Sequence, residues 1–274
     1  MTAANADMIE YWNGPVGERW VRLNAELDRS LSKISDALLA FAAAKPGERV
    51  LDIGCGCGTA TYALAKAVGG SGDVTGVDIS KPMLAYARSR GVGVNFIEAD
   101  ASVHRFHPAH NLVFSRFGVM FFADPAAAFA NIRKALAPHG RLAFVCWRDV
   151  KENLWASAPY DAALHLLPPQ KPSDPLAPGP YAFANAARVK DILSRAGFHD
   201  IRIEKLDSTV WMGANAEEAA AQSLNVGPLA YAARELDEAI REKLRAAAKE
   251  ALAKFKTAEG IAPPAACWLV GAKN

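Results

Sequence analysis

The sequence predicts an open α/β fold, a mostly parallel sheet with helices between its strands. Three observations point there. Short apolar runs alternate with helix-length segments from residue 49 to residue 147. The first of these runs enters a glycine-rich turn that opens a helix. Hydrophobic residues make up 51% of the 274 residues, enough for a large core.

The elements follow in order. Residues 8–29 concentrate Tyr11, Trp12, Arg19 and Trp20. Residues 30–44 read as an amphipathic helix, because Leu31, Ile34, Leu38 and Phe41 recur at three and four. A turn at 45–48 leads into a buried strand at 49–53, then the glycine turn 54–58 and a helix over 59–68. Strand two spans 74–78. Ser80 is the expected N-cap of the next helix, with Pro82 in its first turn and its end near Arg90. Strands follow at 94–98 and 111–115. Asp124 and Pro125 start a helix whose buried stripe is Phe129, Ile132 and Leu136, and a turn at 138–140 precedes a strand at 141–147.

The rhythm then breaks. Residues 148–186 carry Pro168, Pro169, Pro172, Pro175, Pro178 and Pro180, which suits an ordered insertion better than a βα unit. A helix over 187–196 and a strand over 201–211 resume the pattern. Residues 215–258 read as helical, with Leu236, Ile240, Leu244 and Phe255 on one stripe, and 265–271 as a last strand. The expected organisation is an N-terminal lid at 1–30 and a core of 31–147 and 187–274. A Pro-rich insertion (148–186) and a helical insertion (213–258) would form a substrate lid.

Bulk properties weigh against several classes. A net charge of +2, with Lys and Arg scattered, gives little drive toward nucleic-acid phosphates. No run approaches the ~20 apolar residues of a membrane span. The N-terminus lacks a basic start and an apolar signal core, so the cytoplasm is expected. Cys55, Cys57, Cys146 and Cys267 form no disulfide framework. Cys55 and Cys57 lack a second Cys or His pair at ligand spacing, so no metal is expected.

The strongest chemical signal is the run from Val50 to Thr59, VLDIGCGCGT. Glycines permit positive φ and close ligand approach, and the following helix offers free N–H groups. A dinucleotide site would space its glycines Gly-x-Gly-x-x-Gly around a pyrophosphate. Here Gly54, Gly56 and Gly58 are evenly spaced, and Asp52 stands two residues before the first. An acid there suits a cation better than a diphosphate. S-adenosylmethionine carries both an ammonium and a sulfonium, and Asp52 can act on its methionine end directly or through water. Asp78, at the end of strand two, suits ribose hydroxyls. Asp100 can accept the adenine amino proton, with Ile79 and Met83 on the two faces of the ring.

Together these residues resemble the class I S-adenosylmethionine-dependent methyltransferases, nearest to the ubiquinone/menaquinone-biosynthesis branch. VLDIGCGCG is similar to that family's first motif, GVDIS to its ribose acid, EADA to its adenine motif and NLVFSRFGVMFFADP to its fourth-strand motif. The resemblance covers roughly residues 8–147. It implies a Rossmann-like, seven-stranded sheet in order 3-2-1-4-5-7-6 with the last strand antiparallel. It implies S-adenosyl-L-methionine as cofactor and S-adenosyl-L-homocysteine as product. Cofactor contacts would come from Trp20, Asp52, Gly54, Cys55, Gly56, Asp78, Ile79, Met83, Asp100, Ala101, Ser115 and Phe117. Trp20 belongs to the implied lid, whose aromatic faces suit a sulfonium. Asn111 stands where the family often has an acid.

Methyl transfer needs in-line alignment more than acid–base help. No base is assigned; the candidates are His104, Arg116 and Tyr160. Arg116 either pairs with an internal acid or orients an anionic substrate group. His104, His107 and His110 would lie on the rim of this face, as solvated loop residues or a base. Met120, Phe121, Trp147 and Trp155 would line a small-molecule acceptor site, which their bulk makes apolar. Two other readings stand beside this one, a nicotinamide-dependent oxidoreductase and a catalytically silent cofactor-binding protein.

Overall fold

The computed structural model describes residues 5–169 and 174–274. The N-terminal segment forms three short helices, α1 (Ala6–Asn13), α2 (Pro15–Arg22) and α3 (Asn24–Ser30), followed by α4 (Ser32–Ala42). The alternating core then runs β1 (Arg49–Ile53), α5 (Thr59–Val68), β2 (Asp73–Asp78), α6 (Lys81–Ser89), β3 (Asn95–Glu98), β4 (His110–Arg116), α7 (Pro125–Arg133) and β5 (Leu136–Trp147). After α8 (Leu154–Ala163) come α9 (Ala186–Arg195) and β6 (His199–Thr209). Helices α10 (Ala216–Ser223), α11 (Pro228–Ala232) and α12 (Glu238–Ala253) precede a two-stranded hairpin, β7 (Lys256–Thr257) and β8 (Gly260–Ile261), and the chain ends in β9 (Pro264–Lys273).

Seven strands make the main sheet, in order β3-β2-β1-β4-β5-β9-β6. Counted within that sheet alone, this is the order 3-2-1-4-5-7-6 that the resemblance implied. The pairs β3–β2, β2–β1, β1–β4 and β4–β5 are parallel, while β9 runs antiparallel to both β5 and β6. The central strands are buried on both faces: Leu112, Val113 and Phe114 of β4 are wholly buried, as are Phe144 and Val145 of β5. Helices on both sides of a parallel sheet require such continuous apolar runs.

Several expectations need correction. Leu136 does not continue the stripe of α7; it opens β5, and the expected turn at 138–140 lies inside that strand beside a register shift. Residues 215–258 are three helices and the start of a hairpin, so Leu236 precedes α12 and Phe255 follows it. The buried stripe of α12 is Leu244, Ala248 and Leu252. Ser80 occupies the N-cap position of α6, but its hydroxyl donates to the Trp12 carbonyl (2.8 Å) instead of capping the helix. Residues 1–4 of the expected lid and Pro172 lie outside the described residues.

The two insertions are not separate flaps. Ala163 of α8 packs with Ala220, Leu224, Leu229, Leu244 and Ala248, forming a satellite core away from the main one. Among the described residues, no helix is long and apolar enough to cross a membrane.

Candidate active site

The expected ligand residues fall along one edge of the sheet. Asp52 lies in β1, Asp78 ends β2, and Asp100 stands two residues past β3. Because β3, β2 and β1 are adjacent, the three acids sit on consecutive strands at the carboxyl edge. Neighbouring strands are ~4.8 Å apart, so the row spans roughly 10 Å, about the length of a nucleoside. On the other side of β1 come Ser115, Arg116 and Phe117 at the end of β4, then Trp147 at the end of β5.

The glycine turn joins the first two acids. Gly54, Gly56 and Gly58 all have positive φ (67°, 54° and 80°), the left-handed region open to glycine. At Gly54 a second constraint acts: a Cβ would meet Gly118 Cα at 2.7 Å, so the turn packs backbone to backbone on the segment after β4. The Gly56 N–H donates to Asp78 Oδ2 and the Ser80 N–H to Asp78 Oδ1, each at 2.8 Å. Burial pushes the Asp78 carboxyl above its ordinary value, opposed by the backbone N–H groups of Ser80, Gly56 and Ile79.

Asp52 is 1% exposed, beneath the turn. Its Oδ2 accepts from the Thr61 hydroxyl at 2.7 Å. Burial raises its pKa to about 7, against that hydrogen bond and the nearby Arg116 cation. Asp52 therefore faces the turn from below the backbone, with its charge as its reach into the cleft.

Asp100 is arranged differently. Its Oδ1 accepts from the Ser102 N–H (2.9 Å) and from Asn5 Nδ2 (3.0 Å), while Oδ2 is buried without a hydrogen-bond partner among the described residues. Ile79 is half-buried, and its carbonyl accepts from Asn13 Nδ2 at 2.9 Å. Met83 is buried, with its sulfur 3.6 Å from where a Cβ on Gly56 would sit. Ala101 is buried, and its carbonyl accepts from Asn131 Nδ2.

Other candidates lie less directly on the cleft. The Cys55 side chain packs with Leu84, Ala87 and Phe96, leaving its backbone as the part available to a ligand. Burial raises the Cys55 thiol and pushes Cys57 up to about 12, so neither supplies the thiolate that metals prefer. Ser115 is wholly buried and its Oγ accepts from the Gly118 N–H at 3.2 Å. Phe117 has φ 62°, unusual for a non-glycine, and stacks on Trp147 with centroids 4.3 Å apart and planes 14° apart. Trp147 in turn lies 5.1 Å from Trp155. Met120 is buried in the main core, behind this aromatic wall. Phe121 meets Trp12 edge-on at 5.3 Å, and Trp12 meets Trp20 at 5.6 Å, so Trp20 is tied to the cleft through Trp12.

Of the two readings of Arg116, the structure realises the ion pair. Arg116 Nη2 lies 3.2 Å from Asp28 Oδ1, and Nη1 donates to Ser35 Oγ at 3.0 Å. Asp28 also accepts from Asn24 (3.1 Å) and from the Thr59 hydroxyl at the start of α5. A cavity of about 150 Å³ opens beside this pair, with Ser32, Asp36 and Ala63 in its wall.

His104 is not brought to the acceptor end. Its N–H donates to the Asp100 carbonyl, which puts it beyond β3, while Phe117 and Trp147 lie past β1 on the far side. His110 starts β4 and so sits on the opposite edge from the ligand residues, since a parallel strand must begin where its neighbour's connection returns. There burial and the Ala135 carbonyl surround it, and burial lowers its pKa. Tyr160 packs against the satellite core of the insertions. Among the described residues, no three His, Cys, Asp or Glu side chains gather as a metal site would need.

Sequence reasoning missed Asn5, Asn13, Asp28, Thr61 and Gly118. Gly118 carried a local signal, a glycine just past a strand. Thr61 lies nine residues from Asp52, whereas Asn5, Asn13 and Asp28 act across long separations, up to 118 residues for Asn5 and Ala123.

Comparison with known proteins agrees with this geometry. A family model described as a methyltransferase domain matches residues 50–140, the stretch from β1 into β5. A nocamycin O-methyltransferase of Saccharothrix syringae is 29% identical over 185 residues, covering 62% of this chain and 65% of that protein. A demethylmenaquinone methyltransferase of Thermus thermophilus is 39% identical over 107 residues, covering 37% of this chain and 48% of that protein. The chain thus spans less than two thirds of the length of these curated relatives. Among solved structures, Haemonchus contortus phosphoethanolamine N-methyltransferase 2, in complex with phosphomonomethylethanolamine and S-adenosylhomocysteine, matches with a TM-score of 0.61 at 18% identity. That match covers 99% of this chain and 60% of the other. The resemblance read from the sequence is borne out: residues 50–140 match a methyltransferase domain, and the sheet has the strand order that the resemblance implied.

Proposed function

We propose that the protein transfers a methyl group from S-adenosyl-L-methionine to a small-molecule acceptor and releases S-adenosyl-L-homocysteine. One observation carries the reading: acids on three consecutive strands at one edge, the outermost with a buried oxygen that lacks a donor among the described residues. The amino group of adenine is a donor of the right kind for Asp100 Oδ2. Asp78 keeps a lone pair for a ribose hydroxyl, because a carboxylate has about four acceptor sites and its partners here are the backbone N–H groups of Gly56, Ser80 and Ile79. Asp52 supplies negative charge under the methionine end, while Gly54 and Gly56 let the ligand approach the backbone. Ile79, Met83 and Ala101 would border the adenine, and Trp20, Cys55, Ser115 and Phe117 the remaining length. The residues present therefore fit this cofactor.

The bound cofactor supplies a sulfonium methyl, an electrophile that needs no activation by the protein. The chain's own part is to hold, align and dry. Phe117 and Trp147, with Trp155 and Phe121 around them, form an apolar wall where an aromatic or otherwise hydrophobic acceptor would lie, backed by Met120. Alignment of this kind can be worth about 7–11 kcal/mol. Helices of segment 1–30 cover the cleft through Trp12 and Asn13, which suits a lid, and the joined insertions 148–186 and 213–258 would close the acceptor side above the core of 31–147 and 187–274. His104 and Tyr160 remain candidates for a base only if the acceptor reaches them; an ionised phenol or thiolate needs none. The weak net charge favours small acceptors over nucleic acid, and four buried free thiols suit a reducing compartment such as the cytoplasm.

The test is calorimetric titration with S-adenosylmethionine, S-adenosylhomocysteine and nicotinamide dinucleotides, followed by incubation with methyl-labelled donor and a panel of acceptors. Heat with the first two and label on apolar small molecules support the reading. Heat with the dinucleotide alone, or label on nucleic acid, overturns it.

A further inference from the structure

Asn5 is a buried polar residue, 8% exposed, at the very start of the described chain. It stands at the N-cap position of α1 with φ 58°, yet its side chain makes no cap hydrogen bond. Asparagine is among the most favoured N-cap residues, so leaving the helix end unserved needs a reason. The reason lies across the cleft. Nδ2 donates to Asp100 Oδ1 at 3.0 Å and reaches Ser102 Oγ at 3.3 Å, while Oδ1 accepts from the Ala123 N–H at 2.7 Å. One carboxamide thus joins the lid, the loop after β3 and the loop between β4 and α7.

The effect on Asp100 is directional. Two donors, the Asn5 amide and the Ser102 N–H, hold Oδ1, so the carboxylate cannot turn. The other oxygen, Oδ2, is fixed in a buried position with no donor among the described residues. A buried acceptor left bare is unfavourable and gains most when a ligand donor arrives.

Resting on the reading of the site given above, we propose that Asn5 is a positioning residue for purine recognition: it fixes the Asp100 carboxylate so that one oxygen can receive a 6-amino group. The ligand class selected is a 6-aminopurine nucleoside over a 6-oxopurine one. A 6-oxo group would set an acceptor against Oδ2. Without Asn5 only the Ser102 N–H would hold Oδ1, the carboxylate would be less firmly fixed, and the discrimination would weaken.

The test measures binding, with S-adenosylhomocysteine and its 6-oxo counterpart S-inosylhomocysteine titrated into the full-length wild type, Asn5→Ala and Asn5→Asp. Wild type should prefer the amino ligand by at least about a hundredfold. Asn5→Ala should lose about tenfold in S-adenosylhomocysteine affinity, the scale of one hydrogen bond to a charged group, and its preference over the 6-oxo ligand should shrink with it. Asn5→Asp, which sets a second carboxylate against Oδ1, should lose at least as much. Melting temperatures confirm that both variants are folded, and a merely structural role would weaken both ligands equally and leave the preference intact. An unchanged preference, or tighter binding in Asn5→Ala, overturns the inference alone. Failure of wild type to bind either ligand overturns the functional reading itself, and this inference with it.

Discussion

The Gly56 N–H donates to Asp78 Oδ2 at 2.8 Å, so the middle of the glycine turn hangs on the tip of the neighbouring strand. Turn shape and acid position are therefore one structural fact. Replacing Asp78 by Ala strands two backbone N–H groups, of Gly56 and Ser80, in a buried place. Each costs about 1–3 kcal/mol. Asp78→Ala is expected to melt several degrees lower and to lose more than about tenfold in S-adenosylhomocysteine affinity. Thermal melting and calorimetry read the two effects separately.

Asp52 gives a pH signature. Its folded pKa of about 7 lies above the ordinary 3.8, because burial disfavours the charge. Between those values the folded state binds more protons than the unfolded one, so stability falls as pH rises from about 4 to about 7. Above pH 7 the whole cost is present, on the order of 4 kcal/mol. Asp78 is shifted the same way and adds to the slope. Asp52→Asn should flatten this part of the curve and melt higher than wild type at pH 8. A cationic ligand favours the Asp52 carboxylate, so S-adenosylmethionine binding should release a proton near pH 6, measurable in buffers of different ionisation heat.

Arg116 and Asp28 should be coupled. Their side chains are 18% and 19% exposed and 3.2 Å apart, so the pair is largely out of solvent. A double-mutant cycle with Arg116→Gln and Asp28→Asn is expected to give a coupling of about 0.5–3 kcal/mol. Because the Arg116 cation also lowers the Asp52 pKa, Arg116→Gln should move the pH window of the previous prediction upward.

Gly54 separates two costs of a side chain. A Cβ there meets Gly118 Cα at 2.7 Å and also suffers a φ of 67°. At Gly69, φ is 66° but nothing lies within 4 Å. Gly69→Ala should cost about 1–3 kcal/mol, the backbone penalty alone, because φ 66° with ψ −174° is a conformation open essentially to glycine. Gly54→Ala should cost more and abolish cofactor binding, since β4 must move away from the turn. Chemical denaturation of both variants measures the difference.

The residues that local structure dictates were legible in the sequence. The strand–glycine–helix turn, Asp52 before it and Asp78 at the next strand end follow from spacing, and the sheet order was implied by the family resemblance. What the sequence hid depends on pairs far apart in the chain. Nothing near Arg116 points to Asp28, 88 residues earlier. Nothing near Ser80 suggests that its hydroxyl serves Trp12 in place of its own helix. His104 and His110 share a loop with Asp100 in sequence, but the return of a parallel crossover carries His110 to the opposite edge. Met120 reads as a pocket residue by chemistry, and the structure buries it in the main core, an outcome that residues distant in sequence decide.

The central claim is that the row of acids along the carboxyl edge holds a positively charged adenine nucleoside. Titrating the wild-type protein with S-adenosylmethionine and with S-adenosylhomocysteine measures this most directly. One-to-one binding of both, lost in Asp78→Ala, is the predicted result. A folded protein that gives no heat with either ligand would contradict the account.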